Sequence, residues 1–209
     1  MISIASPAMK APELSNLIRG RRSLRRYHAD AVPSEYIEQI LEAAVWAPSA
    51  HNRQPWRFAV ISETATKERL AREMGAKLRS DLSADRLPQA VIDADVERSY
   101  QRITGAPLLI LLCLTLQDMD NYGDERRKAH ERTMAQQSAA MAGQNILLMA
   151  ASLGLGACWM CAPLFCQDLV ASVLDLPADW QPQGLITLGF PAQQRTRDRE
   201  TWETRTIWR

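Results

Sequence analysis

The amino-acid sequence predicts an α+β domain in which helices pack on a central sheet in two or three layers. Three observations carry that expectation. Four short apolar runs have the residue content of strands, amphipathic stretches of helical period lie among them, and no repeat, low-complexity tract or flexible linker divides the 209 residues. With 46% hydrophobic residues the chain can bury a substantial core, so residues 1–209 are expected to form a single domain, with 190–209 as its tail.

Pro12 and Glu13 open a short helix that weakens at Gly20, proline being favoured in a first turn. Pro33-Ser34 then precedes Ile37, Ile40, Leu41, Ala44 and Val45, which recur at helical spacing; Ser34 is the expected cap, and the helix must end near Pro48. WRFAVIS, Trp56 to Ser62, is aromatic and β-branched, hence a strand. A charged helical region follows from about Thr64 to Leu78. LLILLCL, Leu108 to Leu114, comes after Gly105-Ala106-Pro107 and has the length and uniform apolarity of a strand buried on both faces.

The longest helix is expected from Glu125 to about Leu153. Met134, Ser138, Met141, Asn145, Leu148 and Ser152 form one stripe on it, while Ala139, Ala140, Ala142 and Gly143 allow another helix to approach closely. Such a helix suits the centre of the domain or a subunit interface. Gly156 to Cys161 and Gly184 to Gly189 read as two more strands, separated by a helix carrying Leu169, Val170, Val173 and Leu174. The tail holds Arg195, Arg197, Arg199, Trp202 and Trp208 without a regular pattern, and tail tryptophans usually pack on something.

Charge narrows the partners. Twenty-five basic residues against 24 acidic ones give a formal net charge of +1, which argues against a nucleic-acid partner. MISIASPAMK has no sustained apolar region of a secretory signal. The uncharged run from Ile146 to Cys166 is as long as a membrane span, but Ser152, Gly154, Gly156 and Pro163 interrupt it, so a buried helix end followed by a strand is expected and no membrane association. Four cysteines without a signal suggest reduced thiols in a cytoplasmic protein.

Within this balanced chain RGRRSLRR, Arg19 to Arg26, places five arginines in eight residues. Crowded guanidinium groups repel one another, and a bound anion relieves that repulsion; paired hydrogen bonds to phosphate suit Arg21, Arg22 and Arg25, with the Ser23 hydroxyl among them. A solvated basic face or an interface with carboxylates is the plainer alternative. A second candidate is APSAHNRQPWRF, Ala47 to Phe58, where Ser49, His51, Asn52 and Gln54 concentrate hydrogen-bonding groups between Trp46 and Trp56. That composition suits a planar heterocycle, or an ordinary turn packed by its tryptophans.

RRSLRRY followed by APSAHNRQPWRF resembles the paired signature of the FMN-dependent nitroreductase family. GAPLLILLCL, the long helix, LGLGACW and GFPA keep the same order, so the resemblance covers about Leu14 to Arg199. It implies a central, mostly antiparallel sheet flanked by helices in an obligate homodimer, with the tail packing on the dimer. It also implies that Arg21, Arg22, Ser23 and Arg25 hold the FMN phosphate and ribityl chain. Pro48, Ser49, Ala50 and Asn52 would reach the flavin from the other subunit, with Gln54 nearby. The turn Met160, Cys161, Ala162 and Pro163 would offer backbone amides to the reactive edge of the ring. Arg197 would complete the phosphate site, with Arg195 and Arg199 as competitors. Within the family, Thr104 to Ala192 looks closest to the flavin-binding C-terminal domain of bifunctional deazaflavin-coenzyme glutamate ligases, through YGDERRKAHERTM, GLGACWMCAPLFCQDLV and LDLPADWQPQG; the ligase half of such proteins has no counterpart here.

Other motifs carry less. LGLGAC lacks the third glycine of a dinucleotide fingerprint and runs from helix to strand. Cys158 and Cys161 would point to opposite faces of a strand and so could not chelate together; no metal is expected. His51 could protonate a substrate or merely bond to backbone, and no serine triad stands out. The charged region from about Lys67 to Arg102 is expected over the mouth of the site, where Arg79, Arg86 and Arg98 recognise an acidic substrate or solvate helices.

The expected function is therefore an FMN oxidoreductase that passes a hydride or electron pair from NADH, NADPH or a reduced deazaflavin to a nitroaromatic, quinone or unsaturated ring, with no catalytic side chain assigned. The alternatives are a flavin-fragmenting or oxygen-dependent enzyme of the same fold and a non-catalytic flavin- or deazaflavin-binding protein.

Overall fold

The computed structural model describes residues 11–209; the expectation for MISIASPAMK falls outside the described residues. The helices are α1 (Ala11–Gly20), α2 (Ser34–Val45), α3 (Thr64–Ala84), α4 (Gln89–Thr104), α5 (Glu125–Ser152) and α6 (Gln167–Val173). The strands are β1 (Trp56–Ile61), β2 (Leu108–Leu114), β3 (Gly156–Met160) and β4 (Gln181–Gly189). They form one sheet in the order β1-β2-β4-β3, and every pairing is antiparallel.

All seven residues of β2 are buried, and its period of two divides them between two cores. Leu108, Ile110, Leu112 and Leu114 pack with Ile40, Ala139 and Ile146 under α2 and α5. Leu109, Leu111 and Cys113 pack with Leu70, Met74, Ile103 and Val170 under α3, α4 and α6. A central strand with apolar residues on both faces requires helices on both faces. The architecture is accordingly the three-layer one.

Four details differ from the sequence expectations. Ser34 does not cap α2: Pro33 holds that place, its extended ψ of 143° letting its carbonyl accept from the Tyr36 and Ile37 N–H groups at 3.1 and 3.2 Å. The charged helix does not stop near Leu78 but runs to Ala84 and pairs with α4, a helix not anticipated as such, whose Ile103 shares a buried cluster with Leu70 and Met74. The buried stripe of α5 is rotated from the expected one. Ala135, Ser138, Ala139, Ala142, Gly143 and Ile146 face inward while Met141 is 38% exposed, since small residues let α2 and the sheet come close. Finally, Trp202 and Trp208 pack edge-on to each other, centroids 6.3 Å apart, and both are exposed on the single chain.

The run from Ile146 to Cys166 divides as expected into the end of α5, Gly154 at φ 75°, and β3. No helix among the described residues is long and apolar enough to cross a membrane. Burial pushes the Cys113 thiol up to about 12 and raises that of Cys158, keeping both protonated and out of reach. Iodoacetamide at pH 8 should therefore label neither until the protein unfolds; peptide mapping of native and denatured samples checks this.

Candidate functional site

The arginine segment leaves α1 at Gly20 and continues as an extended edge beside β3. Ser23 bridges Ala157 in parallel, and the Leu24 N–H donates to the Ala157 carbonyl at 3.1 Å. Tyr27 bridges Pro191, while the His28 and Ala192 N–H groups donate to the Phe190 and Arg26 carbonyls at 2.9 and 3.0 Å. The Tyr27 hydroxyl reaches Thr187 Oγ1 at 2.7 Å, and burial raises its pKa. Backbone pairing and one buried phenol thus fix the segment, and Arg22 Nη1 turns back to donate to the Arg19 carbonyl and to the Arg21 carbonyl at 2.8 Å.

Two of the segment's arginines, Arg22 and Arg25, line a cleft of about 890 Å³. Arg22, Ser23 and Arg25 line one wall and Arg195, Arg197 and Arg199 the other; two tail acids also line it, Glu200, paired with Arg205, and Asp198. Arg21 Nη1 and Arg22 Nε are buried and have no hydrogen-bond partner among the described residues. Burial first, then Arg199 and Arg22, hold the Arg21 guanidinium below its ordinary pKa. Buried guanidinium N–H groups without acceptors carry a desolvation penalty that an oxyanion would offset. Ser23, Arg25 and all three tail arginines named in the sequence meet here, and Arg199 is the one that perturbs Arg21.

The polar loop is anchored separately. Ser49 Oγ accepts from the Gln54 N–H at 3.1 Å, and the Ala50 N–H donates to Ser138 Oγ of α5 at 3.2 Å. Between them His51, Asn52 and Gln54 all adopt positive φ, at 50°, 55° and 51°. Left-handed backbone at three non-glycine residues within four positions stores strain, which accumulates at ligand sites. Pro48, Asn52 and Gln54 are exposed, as is the His51 ring, which has no hydrogen bond among the described residues. At the end of β3, Met160 and Ala162 pack on the core under α3, Pro163 is buried, and Cys161 is exposed with its sulfur accepting from Trp159 Nε1 at 3.2 Å. Cys158 points inward instead, and no three potential metal ligands cluster among the described residues.

Within one chain these groups do not all meet. The loop enters β1 at one edge of the sheet, while the arginine segment lies beyond β3 at the other; the register also places Ser23 level with Leu188 and Leu108, at the far end from Trp56. About four inter-strand steps and about six residues along a strand separate the two corners by roughly 25–30 Å.

Residues 18–190 match the model of the nitroreductase family, most of the chain. The chain belongs to that family. A Desulfovibrio desulfuricans protein assigned as a nitroreductase and crystallised with FMN superposes with a TM-score of 0.72 at 30% identity, covering 96% of this chain and 98% of its own. An NADH dehydrogenase of Thermus thermophilus is 33% identical over 83% of this chain and 84% of its own. A 5,6-dimethylbenzimidazole synthase of Rhodospirillum rubrum is 27% identical over 92% and 90%. The nitroreductase fold accounts for the antiparallel sheet between two helical layers, and the arginine edge and the strained loop lie inside or beside the matched segment.

Proposed function

We propose that this nitroreductase-family protein is a homodimeric, FMN-dependent oxidoreductase of the reducing cytoplasm that takes an electron pair from NADH or NADPH and delivers it to a small organic acceptor such as a nitroaromatic, a quinone or an unsaturated ring. The buried, unpartnered N–H groups of Arg21 and Arg22 carry this reading. They fit a phosphate in charge, donor geometry and burial. In this assignment Arg21, Arg22, Ser23 and Arg25 hold the phosphate and ribityl chain, with a tail arginine opposite. Arg199 is favoured over Arg197 because its charge bears directly on Arg21.

The wide separation of loop and arginines is the argument for a dimer. A second copy can bring its Pro48, Ser49, Ala50 and Asn52, with Gln54, to the first copy's Met160, Cys161 and Ala162. The exposed Trp46, Met141, Trp202 and Trp208 supply apolar surface for that contact.

FMN, when bound, supplies the two-electron chemistry. The chain's own tasks are to position and to tune. Arginines neutralise the phosphate, the strained loop presents amide and carbonyl groups at a fixed edge, and the backbone around Cys161 can donate to negative charge where the ring is reduced. No side chain is required to move a proton, although the exposed His51 ring is free to. A reduced deazaflavin is an alternative donor on the ligase-domain likeness of Thr104 to Ala192.

The visible spectrum of freshly purified protein tests the reading. Flavin absorption, with about one FMN extracted per chain, is the expected result; a colourless protein that takes up no added FMN would overturn it. A second reading, flavin fragmentation with oxygen, is favoured by the 27% identity to a dimethylbenzimidazole synthase. Aerobic incubation with excess reduced FMN separates the two, since fragmentation bleaches the flavin irreversibly and a reductase recycles it.

A further inference from the structure

A second cationic cleft, of about 750 Å³, adjoins the first. The arginine edge contributes Arg25 and Arg26 to it, the last two turns of α4 contribute Arg98 and Arg102, and the tail contributes Arg195. No aspartate or glutamate lines it, and of these five guanidinium groups only Arg98 has a carboxylate partner among the described residues, Asp95. Arg25 and Arg195 line both clefts and so form the partition; Arg26, Arg98 and Arg102 belong to this side alone.

The two clefts hold separate charge clusters. Arg21 is perturbed by Arg199 and Arg22, whereas Arg102 is perturbed by burial and then by Arg25, Arg98 and Arg195. The negative end of α4 accounts for one cation in its last turn, but not for Arg25, Arg26 and Arg195 converging on it from two other segments. Arg25 and Arg102 are half-buried with no carboxylate partner among the described residues, and the exposed Arg26, Arg98 and Arg195 crowd around them, an arrangement that a bound anion would relieve. FMN carries one phosphate, and of the two arginines with buried orphan donors Arg22 lines the first cleft while neither lines this one.

We propose that the cleft between α4 and the Arg25–Tyr27 edge is a second anion site, which takes a phosphate monoester carried by a ligand other than the flavin. It rests on the flavin assignment only in leaving the first cleft to the cofactor. The phosphate belongs either to a 2′-phosphorylated nicotinamide donor or to a phosphorylated acceptor; the recognising chemistry is the same.

The test is calorimetric titration of the FMN-loaded protein with inorganic phosphate, using wild type, Arg26→Ala and Arg102→Ala, with the FMN Kd of each measured by flavin fluorescence. Wild type should bind one phosphate per chain, and each variant should bind it about tenfold more weakly. The FMN Kd should stay within about twofold, because neither residue lines the first cleft. Steady-state rates then identify the source. A tenfold rise in the NADPH to NADH KM ratio in Arg102→Ala marks the donor's phosphate; an unchanged ratio alongside lost phosphate binding marks the acceptor's. Either upholds the site. Absence of phosphate binding by loaded wild type, or release of FMN from Arg102→Ala, would overturn it. A wild type that binds no FMN at all defeats the flavin assignment alone, since phosphate titration of the flavin-free chain still reads this cleft through Arg102.

Discussion

Replacing Arg21 and Arg25 together with alanine should release FMN while leaving the fold intact. Each charge-assisted phosphate contact is worth about 1.5–3 kcal/mol, so losing one weakens binding roughly ten- to a hundredfold and losing both weakens it further, though not additively. Stability should move the other way. Arg21 is partly buried, has an unpartnered Nη1, and is crowded by Arg199 and Arg22, so its removal relieves desolvation and repulsion in the flavin-free chain. A fluorescence titration paired with a flavin-free melt reads both signs. An unchanged FMN Kd would remove the phosphate assignment, whereas lost binding accompanied by a lower melting temperature would point to misfolding instead.

Gly143→Ala is the second large effect, and it acts on the fold. The Trp159 indole is wedged between α5 and β4: a Cβ at Gly143 would lie 2.0 Å from its Cζ3, and one at Gly184 would lie 2.6 Å from its Cε2. Blocked on both sides, the ring cannot swing away from either. Alanine in a helix interior gains about 1 kcal/mol over glycine, but overpacking a rigid aromatic costs about 1–3 kcal/mol and here, at a full overlap, the upper end. A net loss of about 2 kcal/mol is expected, or roughly 4–8 °C in Tm for a chain of this size. The same substitution in a Trp159→Leu background should be neutral or stabilising, because the propensity gain then stands alone. A loss of equal size in both backgrounds would show that the ring is not the cause.

Much of the fold was legible because its signals are local. LLILLCL announces a strand buried on both faces by uniform apolarity, and structure divides its residues alternately between two cores. The α4 helix was legible too, from Ile92, Val96, Tyr100 and Ile103 at helical spacing, but dense charge on the other face hid it. Ser34 misled because serine is a good cap in general; proline one residue earlier supplies the carbonyl without any side chain.

The arginine cluster and the polar loop could be picked out from composition and order, since both depend on residue type within a dozen positions. Their strain and their missing partners could not. Positive φ at His51, Asn52 and Gln54 arises in a loop whose Ala50 N–H is held by Ser138 of α5, far away in sequence, and the orphaned donors of Arg21 and Arg22 are properties of the folded chain. Arg102 carried no signal at all. Some 77 residues separate it from Arg25, and nothing in sequence distinguishes it from a solvated helix charge; only the packing of α4 beside the β3 edge gathers them. Sequence by itself therefore determined the four strands, most of the helices, the family and the two polar segments, all of which follow from short-range period and residue chemistry. Tertiary structure decided which charges converge, because electrostatic crowding and burial depend on distances through space that the chain's order does not contain.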